Sequence, residues 1–176
     1  MSKPSVLTGR AVLIHDAEGK AIDDIDTDMI FHNRYLHITK IEEMGQYALD
    51  NLEGWENFSK KAQKGDIVIV GKNFGAGSSR QQAVDCFIAL GVQMVIGESF
   101  GAIYKRNAIN IGWPLMMASE SIHEKISAGD EIEVDLKTGK IINKTKKLEI
   151  QARPLAQVQL DIYQAGNLFE YAKTIQ

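Results

Sequence analysis

The sequence predicts an α/β domain built on a mixed sheet, and three observations carry this prediction. Residues 66–70 (DIVIV) and 92–97 (VQMVIG) are short, predominantly apolar segments of the kind found in fully buried strands. Each is followed by a segment with helical spacing, which indicates parallel strands joined by crossover helices. In residues 130–152 apolar and polar side chains alternate, as in antiparallel strands with one solvated face.

Length and composition narrow the class of protein. The 176 residues fit one domain of common size, so we predict a single domain over residues 1–176. A net charge of -3 argues against a nucleic-acid partner, which would usually require a basic face. No apolar stretch is long enough for a membrane span, and residues 1–10 lack the apolar core of a signal peptide. We therefore expect a cytoplasmic protein without a membrane or nucleic-acid partner.

The first third of the chain predicts one strand, a loop and short helices. A strand is expected at 7–14, where branched apolar residues precede the turn residues HDAEGK. Residues 22–39 show no clear period and are predicted to be mostly loop. From 40 to 63 apolar side chains recur at roughly helical intervals, broken by Gly45 and Gly54, which favours several short helices.

The remainder alternates strand and helix before it ends in an antiparallel hairpin and a helical tail. Glycines and charged turns separate the segments. The predicted elements are strands at 66–70, 92–97 and 114–118, helices at 81–90 and 100–112, a hairpin over 130–152, and helical spacing from 154 to 173.

The segment GKNFGAGSSRQ, residues 71–81, joins a predicted strand to a predicted helix. Its glycines and the helix N-terminus supply backbone N–H groups and a positive dipole, so we predict an anion-binding loop. Ser78 or Ser79 could instead serve only as the N-cap of the helix, since each has a glutamine three positions on. The residues alone leave both interpretations open.

Known phosphate-binding and hydrolase motifs do not fit this loop. A P-loop requires GxxxxGK[ST], but no lysine follows Gly77, and the dinucleotide fingerprint GxGxxG lacks its third glycine. A hydrolase serine would lie in GxSxG and need a histidine base, and the four histidines form no recognisable arrangement. Two serine hydroxyls remain beside Arg80. Amide donors and a guanidinium stabilise a serine alkoxide and clamp a carboxylate, which favours proton abstraction next to a carboxylate.

Three segments together resemble a known family. NFGAGSSR (73–80) resembles the NFGxGSSR signature of aconitase-superfamily small subunits, the isopropylmalate isomerase and homoaconitase group. DIDTDMI (24–30) and SFGAIYKRNAINIG (99–112) resemble that group's other motifs, in the same order. The resemblance runs from about residue 8 to the closing AGNLFEYAK. It implies the swivelling β/β/α domain, a compact, barrel-like mixed sheet flanked by helices.

The resemblance also implies roles at the matching positions. Ser78, the first serine of GSSR, resembles the catalytic base. Ser79 and Arg80 resemble residues that bind a substrate carboxylate and support the alkoxide. Asp28 matches an aspartate that lies at the active-site cleft and orients charged partners.

The segment RYLHIT, residues 34–39, occupies the place of the family's substrate-specificity loop. Arg34 and His37 are therefore candidate substrate-binding residues. A neutral His37 beside Leu36 suits a compact or apolar substituent better than a second carboxylate. Residues 81–82 are Gln-Gln where many members have Glu-His, a departure expected to change the surroundings of the site rather than the reaction.

In the family the reaction depends on a 4Fe-4S cluster held by three cysteines, whose free iron acts as a Lewis acid. This chain has one cysteine, Cys86. The resemblance therefore implies that this chain binds no metal or cofactor itself. The cluster is expected in a separate large subunit, without which the chain is inactive.

The implied activity is a hydro-lyase that isomerises a hydroxy di- or tricarboxylate by dehydration and rehydration. The isopropylmalate isomerase (dehydratase) type, acting in leucine biosynthesis, is our first hypothesis. Small subunits of homoaconitase and of 2,3-dimethylmalate dehydratase are alternatives. A non-catalytic anion-binding module is an alternative from another class.

Several other residues have structural interpretations. Cys86 is predicted to be a buried, small apolar side chain. The acidic run at 23–26 lacks the glycine and distal glutamate of a calcium loop and is predicted to form a solvated or capping turn. Asn107 and Asn110 are expected to cap or to bond backbone within the fold. Aromatic residues that suit a core or subunit contact as well as a site are Tyr35, Trp55 and Trp113.

Overall fold

The computed structural model describes residues 2–176 and is built on one seven-stranded sheet. The strands are β1 (Val6–Leu13), β2 (Ile67–Val70), β3 (Met94–Gly97), β4 (Leu115–Met117), β5 (Glu131–Asp135), β6 (Lys140–Asn143) and β7 (Leu148–Gln151). Across the sheet their order is β4-β3-β2-β1-β5-β6-β7.

The first four strands form the parallel half of the sheet. In register, Val68 on β2 lies between Val12 on β1 and Val95 on β3. Every residue of β2 and β3 is buried. The continuous apolar composition follows from this position, because both faces of these strands are covered. The predicted parallel arrangement is confirmed.

The last three strands form the antiparallel half, which joins the parallel half through the pairing of β1 with β5. The prediction of a two-stranded hairpin over 130–152 missed one strand. Residues 141–152, predicted as a single strand, contain parts of two strands, β6 and β7, which pair with each other. The chain turns between them with Lys147 in a left-handed conformation, φ 56°. The backbone N–H of Arg153, just after β7, donates to the carbonyl of Met117 at the opposite edge, 2.9 Å. This contact curls the sheet towards closure, and the predicted barrel-like mixed sheet is confirmed.

Seven α-helices accompany the sheet within the part of the chain that the structure describes. They are α1 (Thr27–Ile30), α2 (Phe58–Lys61), α3 (Gln82–Ala89), α4 (Ala102–Ile111), α5 (Ile122–Lys125), α6 (Gln157–Ala165) and α7 (Leu168–Thr174). None of them has the length and apolar character that crossing a bilayer requires.

Local sequence explains where these helices differ from the prediction. The stretch 22–39 is not all loop, because the carboxylate of Asp26 accepts a hydrogen bond from the backbone N–H of Met29 and starts α1. Short 3₁₀ turns fill much of 33–47, as the broken spacing from residue 40 predicted. The helical tail is two helices, because Gly166 (φ 112°) ends α6 and lets the chain turn.

Two apolar layers cover the two faces of the sheet. Val68 and Val95 point into the layer that holds α3 and α4. Ile67 and Ile96 point into the layer inside the curl, with residues of α5 and α6. Each fully buried side chain of this size contributes roughly 1.5–3 kcal/mol. Cys86 is fully buried in the first layer, as predicted.

Candidate active site

The three family-like segments, far apart in the sequence, meet at the carboxyl end of β2. The backbone N–H of Gly75 donates to the carbonyl of Ile25 (2.7 Å), and that of Thr27 donates to the carbonyl of Ala76 (2.9 Å). On the other side, the backbone N–H of Phe74 donates to the carbonyl of Ser99 (3.1 Å). The glycine loop, residues 71–80, is therefore held between the acidic segment and the start of α4. In open α/β sheets this edge of the parallel strands is where ligands bind.

Close packing of the loop against α4 requires one glycine in the loop and one at the start of the helix. Gly75 has φ 81°, and a Cβ at this position would overlap the ring of Tyr104. Tyr104 is buried, and its hydroxyl donates to the carbonyl of Ala83, 3.0 Å. A Cβ on Gly101 would lie 2.6 Å from the carbonyl oxygen of Gly75. Both glycines are needed for the loop to lie directly on the helix.

Ser78 and Ser79 lie exposed at the end of the loop and do not cap α3. The N-cap position falls at Gln81, and no side chain caps this helix. The capping interpretation is therefore wrong. The carbonyl of Ser78 accepts a hydrogen bond from the hydroxyl of Thr27, 3.1 Å, which fixes the backbone and leaves the serine hydroxyl outward.

Backbone donors remain available around these serines. Among the described residues, the N–H groups of residues 77 to 80 donate to no protein acceptor. They lie just before α3, whose N-terminus carries a partial positive charge. The loop therefore has the properties of an anion site, because unpaired backbone N–H groups at a helix start favour negative charge.

Arg80 is held beneath the loop by the acidic segment. Its Nη1 donates to the carbonyl of Phe31 (2.7 Å) and to Oδ1 of Asp28 (3.1 Å). The Arg80 side chain is only 9% exposed. Within residues 2–176 its Nε and Nη2 have no acceptor, so one nitrogen anchors the guanidinium and the others remain for a ligand.

Asp28 is ionised and hydrogen-bonded in this arrangement. Its pKa is lowered, first because the backbone N–H of Asn33 donates to it (2.9 Å) and also because of the Arg80 guanidinium. The amide of Asn51 contacts its other oxygen at 3.3 Å. Asp28 thus positions Arg80 and ties the start of the loop at 34–39 to the same centre.

Arg34 and His37 contact each other rather than the serines. Nδ1 of His37 lies 3.1 Å from the carbonyl of Arg34, and both side chains are exposed. The side-chain amide of Gln82 donates to the carbonyl of Leu36, 3.4 Å. The loop at 34–39 therefore lies against the first turn of α3, next to Arg80. Its Ile38 side chain is buried in the core, whereas Arg34, Leu36 and His37 are exposed.

The acidic run is structural in this fold, as predicted. Asp26 caps α1, Asp23 accepts a hydrogen bond from the backbone N–H of Lys72 (2.8 Å), and Asp24 accepts one from the amide of Asn73 (2.9 Å). These bonds fasten the base of the glycine loop. Within residues 2–176 no group of three or more histidine, cysteine, aspartate or glutamate side chains is arranged to hold a metal ion.

Two histidines and a glutamate form a separate cluster at the same sheet edge. Nε2 of His15 lies 3.1 Å from Nδ1 of His123, whose Nε2 lies 3.3 Å from a carboxylate oxygen of Glu98. Neither histidine is bonded to Ser78 or Ser79 in the described part of the chain, so no hydrolase triad exists here. The pKa of His15 is lowered, first by burial and then by His123, against the opposing charge of Asp16.

This cluster predicts that folding stability falls on mild acidification. Because the pKa of His15 is lower in the folded chain than its ordinary value of 6.5, the unfolded chain takes up the proton first. The contribution of neutral His15 to the free energy of unfolding is complete above about pH 6.5. It is lost as the pH falls through that value towards the pKa of His15 in the folded chain. Urea unfolding between pH 7.5 and 5 should show this loss in wild type.

The His15→Gln variant should lose less stability over the same interval, because glutamine does not titrate. Carboxylates with lowered pKa, such as Asp28 and Asp130, lose their contribution only at more acidic pH. Parallel pH profiles for wild type and His15→Gln would contradict the assignment.

The aconitase C-terminal domain family matches residues 18–120 of the chain, which include all three segments at this centre. The chain belongs to that family. The resemblance noted in the sequence is confirmed, and the glycine loop of this family member lies in the middle of the matched region.

Curated relatives of this family member carry related names. It is 46% identical to the 3-isopropylmalate dehydratase small subunit of Caldicellulosiruptor bescii, over 88% of this chain and 91% of the relative. It is 42% identical to the isopropylmalate/citramalate isomerase small subunit of Methanocaldococcus jannaschii, over 86% of this chain and 88% of the relative.

The fold agrees with a solved structure of 3-isopropylmalate dehydratase from Methanocaldococcus jannaschii. The TM-score is 0.84 at 35% sequence identity, and the match covers 97% of this chain and 95% of the other. The overall fold of this chain is thus shared with that protein over nearly its whole length.

The residues of this aconitase-family chain do not fit a resident 4Fe-4S cluster. Three cysteines are needed, and the sequence contains one. Cys86 is fully buried in α3, and burial raises the pKa of its thiol, which disfavours the thiolate that binds metal. The described residues of this chain therefore do not supply the ligand set of such a cluster.

Sequence reasoning missed two side chains at the centre. Asn107 on α4 donates from its side-chain amide to the hydroxyl of Ser79, 3.3 Å, although it was expected to cap or to bond backbone. Gln82 contacts the carbonyl of Leu36, forty-six positions away. The only signal for Asn107 was its place within a family-like segment, and no spacing pattern indicates which turn of α4 faces the loop.

Proposed function

We propose that this chain is the small subunit of 3-isopropylmalate dehydratase, a hydro-lyase of leucine biosynthesis that works with a large subunit. The observation that carries the proposal is the exposed Ser78–Ser79 pair beside the anchored Arg80, in a chain 46% identical to a small subunit of that enzyme. Other relatives with that name, including one from Aquifex aeolicus at 44% identity, support it.

Ser78 is the proposed general base. The reaction removes a proton from a carbon next to a carboxylate, the electron pair of that C–H bond forms the alkene, and hydroxide leaves the neighbouring carbon. A serine must be an alkoxide to take this proton. The unpaired N–H groups of residues 77 to 80 and the guanidinium of Arg80 favour the ionised hydroxyl, because donors and opposite charge stabilise an anion.

Ser79 and Arg80 are the proposed carboxylate site. The free Nε and Nη2 of Arg80 offer two parallel N–H donors, the geometry that binds a carboxylate in bidentate fashion. The hydroxyl of Ser79 adds a third donor. Asp28 acts by fixing Nη1, so that the guanidinium plane cannot rotate away from the loop.

The loop at 34–39 is the proposed contact for the variable substituent of the substrate. Leu36 is 37% exposed and His37 lies beside it, a surface that suits a compact or apolar group. Arg34 and His37 border it as candidate binding residues. One relative is named for both isopropylmalate and citramalate, which favours a site that also accepts the smaller citramalate substituent.

The large subunit is the proposed source of the 4Fe-4S cluster and of the group that accepts the leaving hydroxyl. This chain contributes proton removal and carboxylate binding, so both chains are needed for turnover. We propose the cytoplasm as the site of the complex, because a lone cysteine leaves no internal disulfide of the kind common in secreted proteins.

The test is to co-express this chain with its large subunit, reconstitute the cluster without oxygen, and assay several hydroxy acids. We expect isomerisation of isopropylmalate, with citramalate, 2,3-dimethylmalate, homocitrate and citrate as the comparison panel. Preferential turnover of homocitrate or dimethylmalate would instead favour the homoaconitase or dimethylmalate dehydratase small subunit. Absence of turnover for every acid, with a complete cluster, would favour the non-catalytic anion-binding module.

A further inference from the structure

We propose that Asn107 is a positioning residue that orients the Ser79 hydroxyl towards the substrate carboxylate. This inference rests on the proposed function, because it assigns a purpose to a contact beside the proposed carboxylate site. The contact is the hydrogen bond from the side-chain amide of Asn107 to the hydroxyl oxygen of Ser79, 3.3 Å, between two segments 28 positions apart.

The backbone around Asn107 is fixed relative to the loop. Tyr104, three positions earlier on α4, is buried against Gly75, and Gly101 lies against the carbonyl of Gly75. Residues three positions apart share a helix face, so the packing of Tyr104 brings the next turn of α4 towards the end of the loop. Asn107 therefore reaches Ser79 from a rigid element.

The polarity of this bond determines where the serine hydrogen can go. A side-chain NH₂ group only donates, so the oxygen of Ser79 is the acceptor. Among the described residues the Ser79 hydroxyl has no other hydrogen-bond partner. With one lone pair engaged by Asn107, the hydroxyl rotor is restricted and its hydrogen is free for an anion at the loop.

Asn110 provides a matched control on the same helix. It lies on the exposed surface of α4, three positions further on, and its side chain makes no hydrogen bond within residues 2–176. Asn107→Ala and Asn110→Ala remove the same group from the same helix, so only the contact with Ser79 distinguishes them.

The kinetic test uses the reconstituted complex. Asn107→Ala should raise KM for isopropylmalate roughly 2- to 10-fold, the effect of one neutral hydrogen bond, with kcat within about 2-fold of wild type. Asn107→Asp should raise KM further, because its carboxylate accepts the Ser79 hydrogen and repels the substrate. Asn110→Ala should match wild type. In a Ser79→Ala background, Asn107→Ala should have no added effect.

A second measurement is independent of turnover. In ¹⁵N spectra of the full chain, the side-chain amide signals of Asn107 should shift in Ser79→Ala, while those of Asn110 should not. Unchanged Asn107 signals, additive effects in the double variant, an Asn107→Asp KM below that of Asn107→Ala, or equal effects of the two alanine variants would each overturn the proposal. If the wild-type complex turns over no acid, the proposed function fails, and the spectra still decide the contact.

Discussion

Ser78→Ala should lower kcat for isopropylmalate by at least roughly 100-fold in the reconstituted complex, because loss of a general base costs 10²–10⁴ in rate. The side chain is exposed and makes no hydrogen bond within residues 2–176, so its removal leaves the fold intact. The carbonyl of Ser78, which accepts the bond from Thr27, is unchanged in alanine. KM should change little, since the carboxylate site is retained.

The neighbouring serine separates the two proposed roles. Ser79→Ala should chiefly raise KM, whereas Ser78→Ala should chiefly lower kcat. Ser59→Ala, in α2 and outside the site, is the neutral control. Steady-state kinetics of the three variants, with thermal unfolding to check the fold, distinguish the assignments. A Ser78→Ala complex that retains wild-type kcat would remove Ser78 as the base, and a reversed pattern would exchange the two serines.

The sequence predicted the strands of the sheet that are buried on both faces. The segments that became β2 and β3 are apolar at every position because they are covered on both faces, and this signal needs no knowledge of their partners. By contrast, the turn at Lys147 splits one alternating segment into two strands. Alternation continues through a tight turn of polar residues, so the pattern did not indicate where the first strand ends.

The site was predictable to the level of its loop but not of its contacts. The glycine-rich sequence after a buried strand indicated unpaired N–H groups, and the structure has them at residues 77 to 80. The sequence also allowed the serines to cap α3, which is wrong, because the helix begins at Gln82. Cap spacing is local, whereas the position of the loop is set by Thr27 and Phe31, about fifty positions away.

The contacts of the glutamines at 81 and 82 could not be predicted from the local sequence either. Gln81 donates to the carboxylate of Asp85 on the next turn of α3, 3.1 Å, and the pKa of Asp85 is raised by burial. A glutamate at 81 would place a second carboxylate against this buried one. Gln82 instead reaches Leu36, so one glutamine is matched to the helix and the other to the loop at 34–39.

Gly75→Ala should destabilise the chain by roughly 2–5 kcal/mol and inactivate the complex, because two costs add at this position. A left-handed backbone costs a residue with a Cβ about 1–2 kcal/mol, and Gly75 has φ 81°. The new methyl group would also overlap the ring of Tyr104, and overpacking of this kind costs about 1–3 kcal/mol. Tyr104 cannot move aside, since it is buried and bonded to Ala83.

Gly54→Ala measures the cost of the left-handed backbone alone, without the overlap with a neighbouring side chain. Gly54 has φ 87°, and a Cβ there meets nothing within 4 Å. Urea unfolding should therefore show a loss of only about 1–2 kcal/mol for Gly54→Ala, and its complex should keep turnover. Equal losses for the two variants would mean that the loop can move off α4 without cost. A larger loss at Gly75 would instead show that the position of the serines depends on direct packing of the loop backbone against Tyr104, so that the fold and the site are stabilised by the same contact.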